Sequence, residues 1–401
     1  MTETPDPIAA LGADFTDDPY PAYGFLRAAD PVHESAAGFW LLSSYRDVSA
    51  VLRAGLSSNP RNVTHGAVLG QYERLGGTGA MFARTMLEHD APDHTRLRSL
   101  VTKVFTRRAV AALETRVTEL VDAALDRVAD AGRADLVDAL AFPLPFAVIS
   151  EMLGLPPDSS DRVRELSGLL VRSQEPVFDP AVLDSVARAG DAMVALVREL
   201  IAAKRRDPGD DLLTALIAAE QDGARLTDDE LVAQVVLLYI AGHETTVNLI
   251  AGGTVALLRN PGQLAALRAN PGLTGNAVEE LLRYDSPVQQ TRRITTAPYT
   301  VRGREIPPGT FVIACVGSAN RDEEFWGPDA DQLRLDRPDA RRHVSFGAGP
   351  HHCLGAALAR LEGRVAFERL VRRFPRLEFD GDVVWNGRVN LRGPAELPVR
   401  V

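Results

Sequence analysis

The chain has 401 residues, 45% hydrophobic and 24% charged, a balance that supports a sizeable buried core and excludes a disordered chain. Asp and Glu number 54 against 44 Lys and Arg, and the resulting charge of −10 argues against nucleic acid or an anionic membrane as the main partner. Two cysteines, Cys315 and Cys353, cannot make a disulfide framework; the acidic N-terminus has no signal-peptide pattern, and the longest apolar run, Leu231 to Ala241, is interrupted by Gln234 and far short of the roughly 18 to 20 residues of a bilayer span, so a cytoplasmic protein without a membrane anchor is expected.

No linker, repeat or shift of composition divides the sequence, which predicts one large domain over residues 1–401. Phe39-Trp40-Leu41-Leu42 reads as an early strand. Residues 57–79, rich in Gly, Asn and Arg and without periodicity, read as a surface or lid loop. Val117, Val121, Leu125 and Val128 recur at helical spacing, as do Val194, Val197 and Ile201, and mark the core faces of two helices. Breaks at Leu155-Pro156-Pro157, Asp207-Pro208-Gly209-Asp210 and Asn260-Pro261-Gly262 read as helix boundaries. Tyr299-Thr300-Val301 and Phe311-Val312-Ile313 read as a strand pair joined through Gly303 and Pro307-Pro308-Gly309. The fold class is therefore mainly α with a small β region.

Thr227-Asp228-Asp229-Glu230 reads as a capping box, with acidic residues at the positive end of a helix dipole. The helix it opens can run to Arg259, about 30 residues or roughly 45 Å. Its flanks are apolar all round, so it is expected to be buried on every side, which makes the central His243-Glu244-Thr245-Thr246 costly unless paired or wetted for a purpose. Leu238, Ala241, Gly242 and Thr245 share one face and form a groove with a hydroxyl at its edge. The plainer alternative has Thr245 bonding back to the Ala241 carbonyl and Glu244 finding a cation.

The segment Phe346-Gly347-Ala348-Gly349-Pro350-His351-His352-Cys353-Leu354-Gly355 precedes a helical pattern carried by Leu354, Leu358, Leu361 and Val365, which places Cys353 at a helix N-terminus. Backbone N–H groups and the dipole favour a thiolate there. Three readings compete: an inert thiol, a zinc site with His351 and His352, and an axial thiolate to haem iron. Adjacent residues rarely converge on one tetrahedral ion, and Cys315 has no histidine neighbours, so it reads as a small core residue.

The run from Phe346 to Gly355 resembles the haem-binding signature of the cytochrome P450 superfamily: Phe346, Gly347, Gly349, His351, Cys353 and Gly355 stand at its spacing. Three further segments, in the family's order, resemble its other motifs. His94-Thr95-Arg96-Leu97-Arg98 is similar to a propionate-binding segment, Ala241-Gly242-His243-Glu244-Thr245-Thr246 to the oxygen-activation motif, and Glu280-Leu281-Leu282-Arg283 to the Glu-x-x-Arg helix.

The resemblance implies a single-domain P450 fold with the long helix over haem b (iron protoporphyrin IX). It implies Cys353 as axial ligand, Phe346 and Gly347 against the cofactor, and His94, Arg98, Arg293 and His351 on the propionates. Ala241 and Gly242 would leave room for dioxygen, and Thr245 with Glu244 would relay protons. Glu280, Arg283 and Arg337 take a structural role. A thiolate ligand pushes electron density to iron and favours O–O cleavage, so the expected activity is a monooxygenase that hydroxylates or epoxidises an apolar organic substrate, in bacterial natural-product biosynthesis. The same scaffold supports desaturation or oxidative coupling, and a haem protein that only senses a gas is the alternative from another class.

By the same resemblance the substrate pocket draws on Thr85, Met86, Leu87, Leu238, Ala241, Val288, Gln289 and Leu391. Electrons come from a separate ferredoxin and its reductase, with Arg96, Lys103, Arg107, Arg108, Arg360 and Arg364 as a candidate basic docking patch.

Overall fold

The structure is a computed structural model that describes residues 13–64, 75–156, 160–175, 179–221 and 223–401. In chain order the main helices are α1 (Tyr45–Arg53), α2 (Asp93–Val104), α3 (Glu114–Ala131), α4 (Pro143–Met152), α5 (Pro180–Arg206), α6 (Asp228–Arg259), α7 (Thr274–Tyr284) and α8 (Ala356–Arg373). The main sheet holds β1 (Val32–Glu34), β2 (Phe39–Leu42), β3 (Thr291–Ile294) and β4 (Phe311–Ala314) in the order β1-β2-β4-β3. Strands β2 and β4 run parallel, with Phe39 opposite Phe311, and the outer pairs are antiparallel. Two segments read above as partners lie in different sheets: Tyr299–Val301 pairs with Arg304–Ile306 instead, across a turn in which Arg302 and Gly303 have φ of 49° and 78°. That twist matches the right-handed twist of the hairpin arms and closes the pair locally, before the chain reaches β4.

The chain forms two compact units. The first comprises residues up to Leu56, then Glu114–Leu144 and Thr245–Val401. In it β1, β2 and β4 pack on α1 through Val32, Trp40, Leu42, Val48, Val51, Leu52 and Val312. A second cluster, with Leu249, Val278, Leu281, Phe367 and Val371, locks the C-terminal half of α6 to α7 and α8. Each such side chain contributes about 1.5–3 kcal/mol of burial. The crossing is tight: a Cβ at Gly253 would lie 2.5 Å from Phe367 Cζ, and one at Gly363 3.1 Å from Leu249 Cδ2. On α3 the expected stripe Val117, Val121, Leu125 and Val128 is buried. Cys315 is fully buried in this unit, and burial pushes its thiol up to about 12, which makes it an inert core residue.

The second unit comprises Ser57–Leu113 and Pro145–Glu244. Its α5 is capped by Asp179, which accepts the Ala181 N–H at 2.9 Å, and buries Leu183, Val186, Met193, Val197 and Ile201. Val194 is only half-buried. The loop expected over residues 57–79 is interrupted by helix: Gly76–Phe82 is helical, and residues 65–74 lie outside the described residues. The glycine-rich segment has weak helix propensity, so packing decides; Thr78 sits where a Cβ on Gly190 of α5 would lie 1.9 Å from its Oγ1.

Helix α6 starts at the predicted capping box: Glu230 N–H donates to Thr227 Oγ1 at 3.3 Å and Thr227 N–H to Glu230 Oε2 at 2.9 Å. It ends at Arg259, and the division between the units falls within it, after Glu244. Among the described residues α6 is the one helix long and apolar enough to cross a membrane, and 83% of its apolar window is buried inside the protein.

Candidate functional site

The candidate residues lie on two stretches, a buried ionic frame on α7 and the partly exposed middle of α6. On α7, Glu280 and Arg283 face each other across one turn. Arg283 Nε and Nη2 donate to the two Glu280 oxygens at 2.7 and 2.8 Å, with both side chains fully buried. The remaining guanidinium protons go to the carbonyls of Asn320, Ala330 and Gln332 at 2.7–2.9 Å. Arg337 Nε donates to Glu280 Oε1 at 3.2 Å, so the three residues named together from sequence form one knot. A buried ion pair is tolerable only when its hydrogen bonds are satisfied, and here they are.

The cysteine loop is tied to the same helix. Asn320 accepts the Val344 N–H at 2.9 Å and donates to Ser345 Oγ at 2.7 Å, and Ser345 Oγ donates to the Leu282 carbonyl at 2.7 Å. Two glycines then turn the chain with positive φ, Gly347 at 66° and Gly349 at 71°. Gly349 also meets the end of α1 so closely that a Cβ would lie 2.6 Å from the Leu52 carbonyl oxygen. The loop closes when Cys353 N–H donates to the Phe346 carbonyl at 2.8 Å. Cys353 lies two residues before the cap of α8, Gly355, rather than within its first turn, and its side chain is exposed. Among the described residues no cluster of three or more His, Cys, Asp and Glu converges, so the zinc reading has no ligand set.

At the middle of α6 the burial pattern breaks. Leu237, Leu238, Tyr239 and Ile240 are buried, yet Ala241 is exposed and Gly242 and Thr245 are partly so. An exposed alanine in an otherwise buried helix marks an open face. Glu244 is 8% exposed and His243 fully buried. His243 Nδ1 donates to the Tyr239 carbonyl at 2.7 Å, which leaves Nε2 toward Glu244 Oε2 at 3.8 Å. The Tyr239 hydroxyl bonds Ser150 Oγ, and burial pushes the phenol up to about 12. A methyl at Gly242 would make only ordinary contact, 3.5 Å from Ile149, so the neighbouring protein does not itself demand glycine there.

The remaining sequence-derived positions fall as follows. His94 is buried near the start of α2, and burial first, then the Arg98 charge, lowers its pKa. Arg293 is buried on β3 and donates to the Arg292 carbonyl at 2.6 Å. His351 closes a short turn, Gly349–His351. Val288 and Leu391 are bridge partners, which brings two positions expected in the substrate pocket side by side. Thr85 is buried and donates to the Phe82 carbonyl; Met86 is buried and Leu87 is 40% exposed. Gln289 is a correction: it is fully buried, bonded to the Ser286 carbonyl and pressed on Gly317, so it packs the interior rather than lining an opening. Gln234, seen in the sequence only as an interruption, holds the loop before α2 by accepting the Met86 N–H and donating to the Arg84 carbonyl, each at 2.9 Å.

The cytochrome P450 family profile matches residues 182–385, a span that includes α6, α7 and the cysteine loop. Cytochrome P450 107B1 of Saccharopolyspora erythraea is 42% identical over 99% of this chain and 98% of its own. The chain belongs to the cytochrome P450 family. The 6-deoxyerythronolide B hydroxylase of the same organism is 38% identical over the full length of both chains. The solved structure of P450BioI in complex with an acyl carrier protein ligated to hexadec-9Z-enoic acid superposes with a TM-score of 0.90 at 32% identity, covering 97% of this P450 and 99% of that chain. This P450 is thus a haem-thiolate monooxygenase acting with dioxygen on an organic substrate.

The residues present fit that cofactor. An exposed thiol on a glycine-turned loop suits an iron ligand, whereas a cysteine used for packing is buried as Cys315 is. Several charges of the expected docking patch are already engaged: Arg96 with Glu230, Arg360 with Glu279, Arg364 with Glu114, and Lys103 with the Glu220 carbonyl. The side chain of Arg107 lies outside the described residues.

Proposed function

We propose that this P450, working as one domain in the cytoplasm, would hold haem b through the Cys353 thiolate on the iron, with His94, Arg98, Arg293 and His351 on the propionates. The observation that carries the reading is the exposed Cys353 thiol at the end of a loop whose backbone is locked by the Cys353–Phe346 hydrogen bond. When bound, haem supplies the redox chemistry that activates dioxygen for insertion into the substrate. The chain's own contribution is proton handling and shape. Glu244, held near His243, passes protons toward the Thr245 hydroxyl, which orients water on the open face of α6. Ala241 and Gly242 keep that face free of side-chain bulk.

Met86, Leu87, Leu238, Val288 and Leu391 offer apolar side chains, while Thr85 is fully buried and spent on the Phe82 carbonyl; this suits an apolar natural product, with hydroxylation, as in the name of the 6-deoxyerythronolide B hydroxylase relative, or epoxidation as the outcome. Electrons are supplied by a ferredoxin and its reductase. A cleft of about 600 Å³ beside the cysteine loop, lined by Tyr45, Arg53, Arg341, Arg342 and His352, offers positive charge for an acidic partner. Electron transfer from ferredoxin is expected to slow as salt rises, and slower transfer in Arg53→Gln would assign the cleft.

The decisive test is the absorption spectrum of the reduced carbon monoxide complex. The wild type is expected to show the red-shifted band of thiolate ligation, and Cys353→Ala to lose both that band and turnover. A Cys353→Ala protein with unchanged spectrum and turnover overturns the reading.

A further inference from the structure

Helix α7 carries two consecutive glutamates, and only Glu280 is accounted for by the ionic knot. Consecutive helical positions point about 100° apart, so Glu279 faces a different neighbourhood, that of α8 and the cysteine loop. It is 2% exposed. Its carboxylate takes three bonds: Arg360 Nε at 2.8 Å on Oε1, Arg360 Nη2 at 3.1 Å on Oε2, and His343 Nε2 at 3.1 Å on Oε2. A second cation, Arg341, lies 3.8 Å away with its own side chain in solvent. These partners hold the carboxyl ionised, down at about 2 against the opposing effect of burial.

The geometry of His343 is fully specified. Its Nδ1 accepts the Ser345 N–H at 3.1 Å, so the ring proton sits on Nε2 and is donated to Glu279, and the buried ring is neutral. Both groups fixed by Glu279 then touch one side chain. The His343 ring lies 5.5 Å from the Phe346 ring at 48°, and the Arg360 guanidinium carbon lies 4.5 Å from the Phe346 centroid. Phe346 is the residue whose carbonyl receives the Cys353 N–H. One buried carboxylate therefore aims a neutral ring and a cation at the aromatic residue that anchors the cysteine, and it also neutralises that cation.

We propose that Glu279 is a positioning residue for Cys353, holding Phe346 through His343 and Arg360 and balancing the Arg360 charge, so that it sets how strongly the thiolate donates to the haem iron. This rests on Cys353 being the ligand. Arg360, taken from sequence as a docking charge, is in this arrangement part of the ligand's support.

The test uses the full-length haem-loaded protein and reads the reduction potential and the reduced carbon monoxide spectrum. Glu279→Gln leaves the Arg360 cation uncompensated and favours the reduced iron. A shift of the reduction equilibrium of about tenfold is expected, which is about 59 mV upward for one electron. Arg360→Gln leaves the carboxylate with only the solvent-exposed Arg341 as counter-charge and shifts the potential downward, and the double variant returns toward wild type. A residue that only stabilised the fold would not give opposite signs in the two single variants. In Glu279→Gln the thiolate-type band is also expected to decay faster than in wild type, because Phe346 is released. If Glu279→Gln does not fold, Arg360→Gln, whose side chain is partly in solvent, decides alone. Unchanged potentials in variants that keep a wild-type thiolate band overturn this inference and leave the ligand assignment standing; absence of that band from the wild type overturns the ligand assignment itself.

Discussion

Helices α7 and α8 pack on each other, and each buries acidic side chains with opposite electrostatics. On α7, Glu279 and Glu280 are surrounded by His343, Arg360, Arg283 and Arg337, and every carboxylate oxygen has a donor. On α8, Glu362 is 1% exposed, and its Oε2 has no hydrogen-bond partner among the described residues. Burial alone pushes this carboxyl up to about 8. The contrast teaches that burial does not decide the state of an acid. A buried carboxylate with fixed donors becomes an ionised strut, and one without them keeps its proton at neutral pH.

The comparison can be broken most severely on α7. Glu280→Gln leaves Arg283 charged and buried with its fork half-empty, and a loss of about 3–5 kcal/mol is expected in chemical denaturation. Poor haem incorporation should accompany it.

The second largest effect is a pH slope on α8. The folded pKa of Glu362 is raised, so its contribution is fully present below the usual carboxylate range and is lost as pH rises through about 8. Stability should fall by up to about 1.4 kcal/mol per pH unit across that window, and Glu362→Gln should flatten the slope. Glu279 has the opposite sign: its depressed pKa makes its contribution present above the usual carboxylate range and lost as pH falls to about 2. Denaturation curves from pH 3 to 8 for wild type, Glu362→Gln and Glu279→Gln would separate the two slopes.

Helix α6 sharpens the lesson, because its polar centre includes the partly exposed Thr245 alongside its buried groups. Thr245→Ala should therefore leave stability nearly unchanged. Product formed per pair of electrons consumed should fall roughly tenfold or more, as expected when a group that handles protons is removed. Full coupling in Thr245→Ala would remove Thr245 from that role. The smallest effect is expected at Gly242. Ile149 leaves room for a methyl, so Gly242→Ala should fold and gain up to about 1 kcal/mol in helix stability. Any loss of oxygen consumption in that variant then reports on the open face and not on the fold.

Much of this was legible along the chain. The capping box, the span of α6 and the stripe on α3 all depend on neighbours within a few residues, and the structure shows them at the predicted positions. The Glu280–Arg283 pair was legible because one helical turn sets its spacing. Other features were not. The helix at Gly76–Phe82 has a composition that favours no helix and exists because Thr78 fits against Gly190. Gln289 was placed in a pocket, and its buried amide instead donates to the Ser286 carbonyl and packs against Gly317. Glu279 gave no local signal beyond standing next to Glu280, because its partners come from positions 343 and 360.

The sequence by itself determined the helical elements, the motif order and the family to which those motifs belong, since those follow from spacing along one chain and from the nature of each side chain. Only the tertiary structure decided which buried acids are charged, which cations remain for a partner and which face of α6 stays open. Those properties depend on what stands within about 4 Å of a group and on how much water reaches it, and residues far apart in the chain settle both.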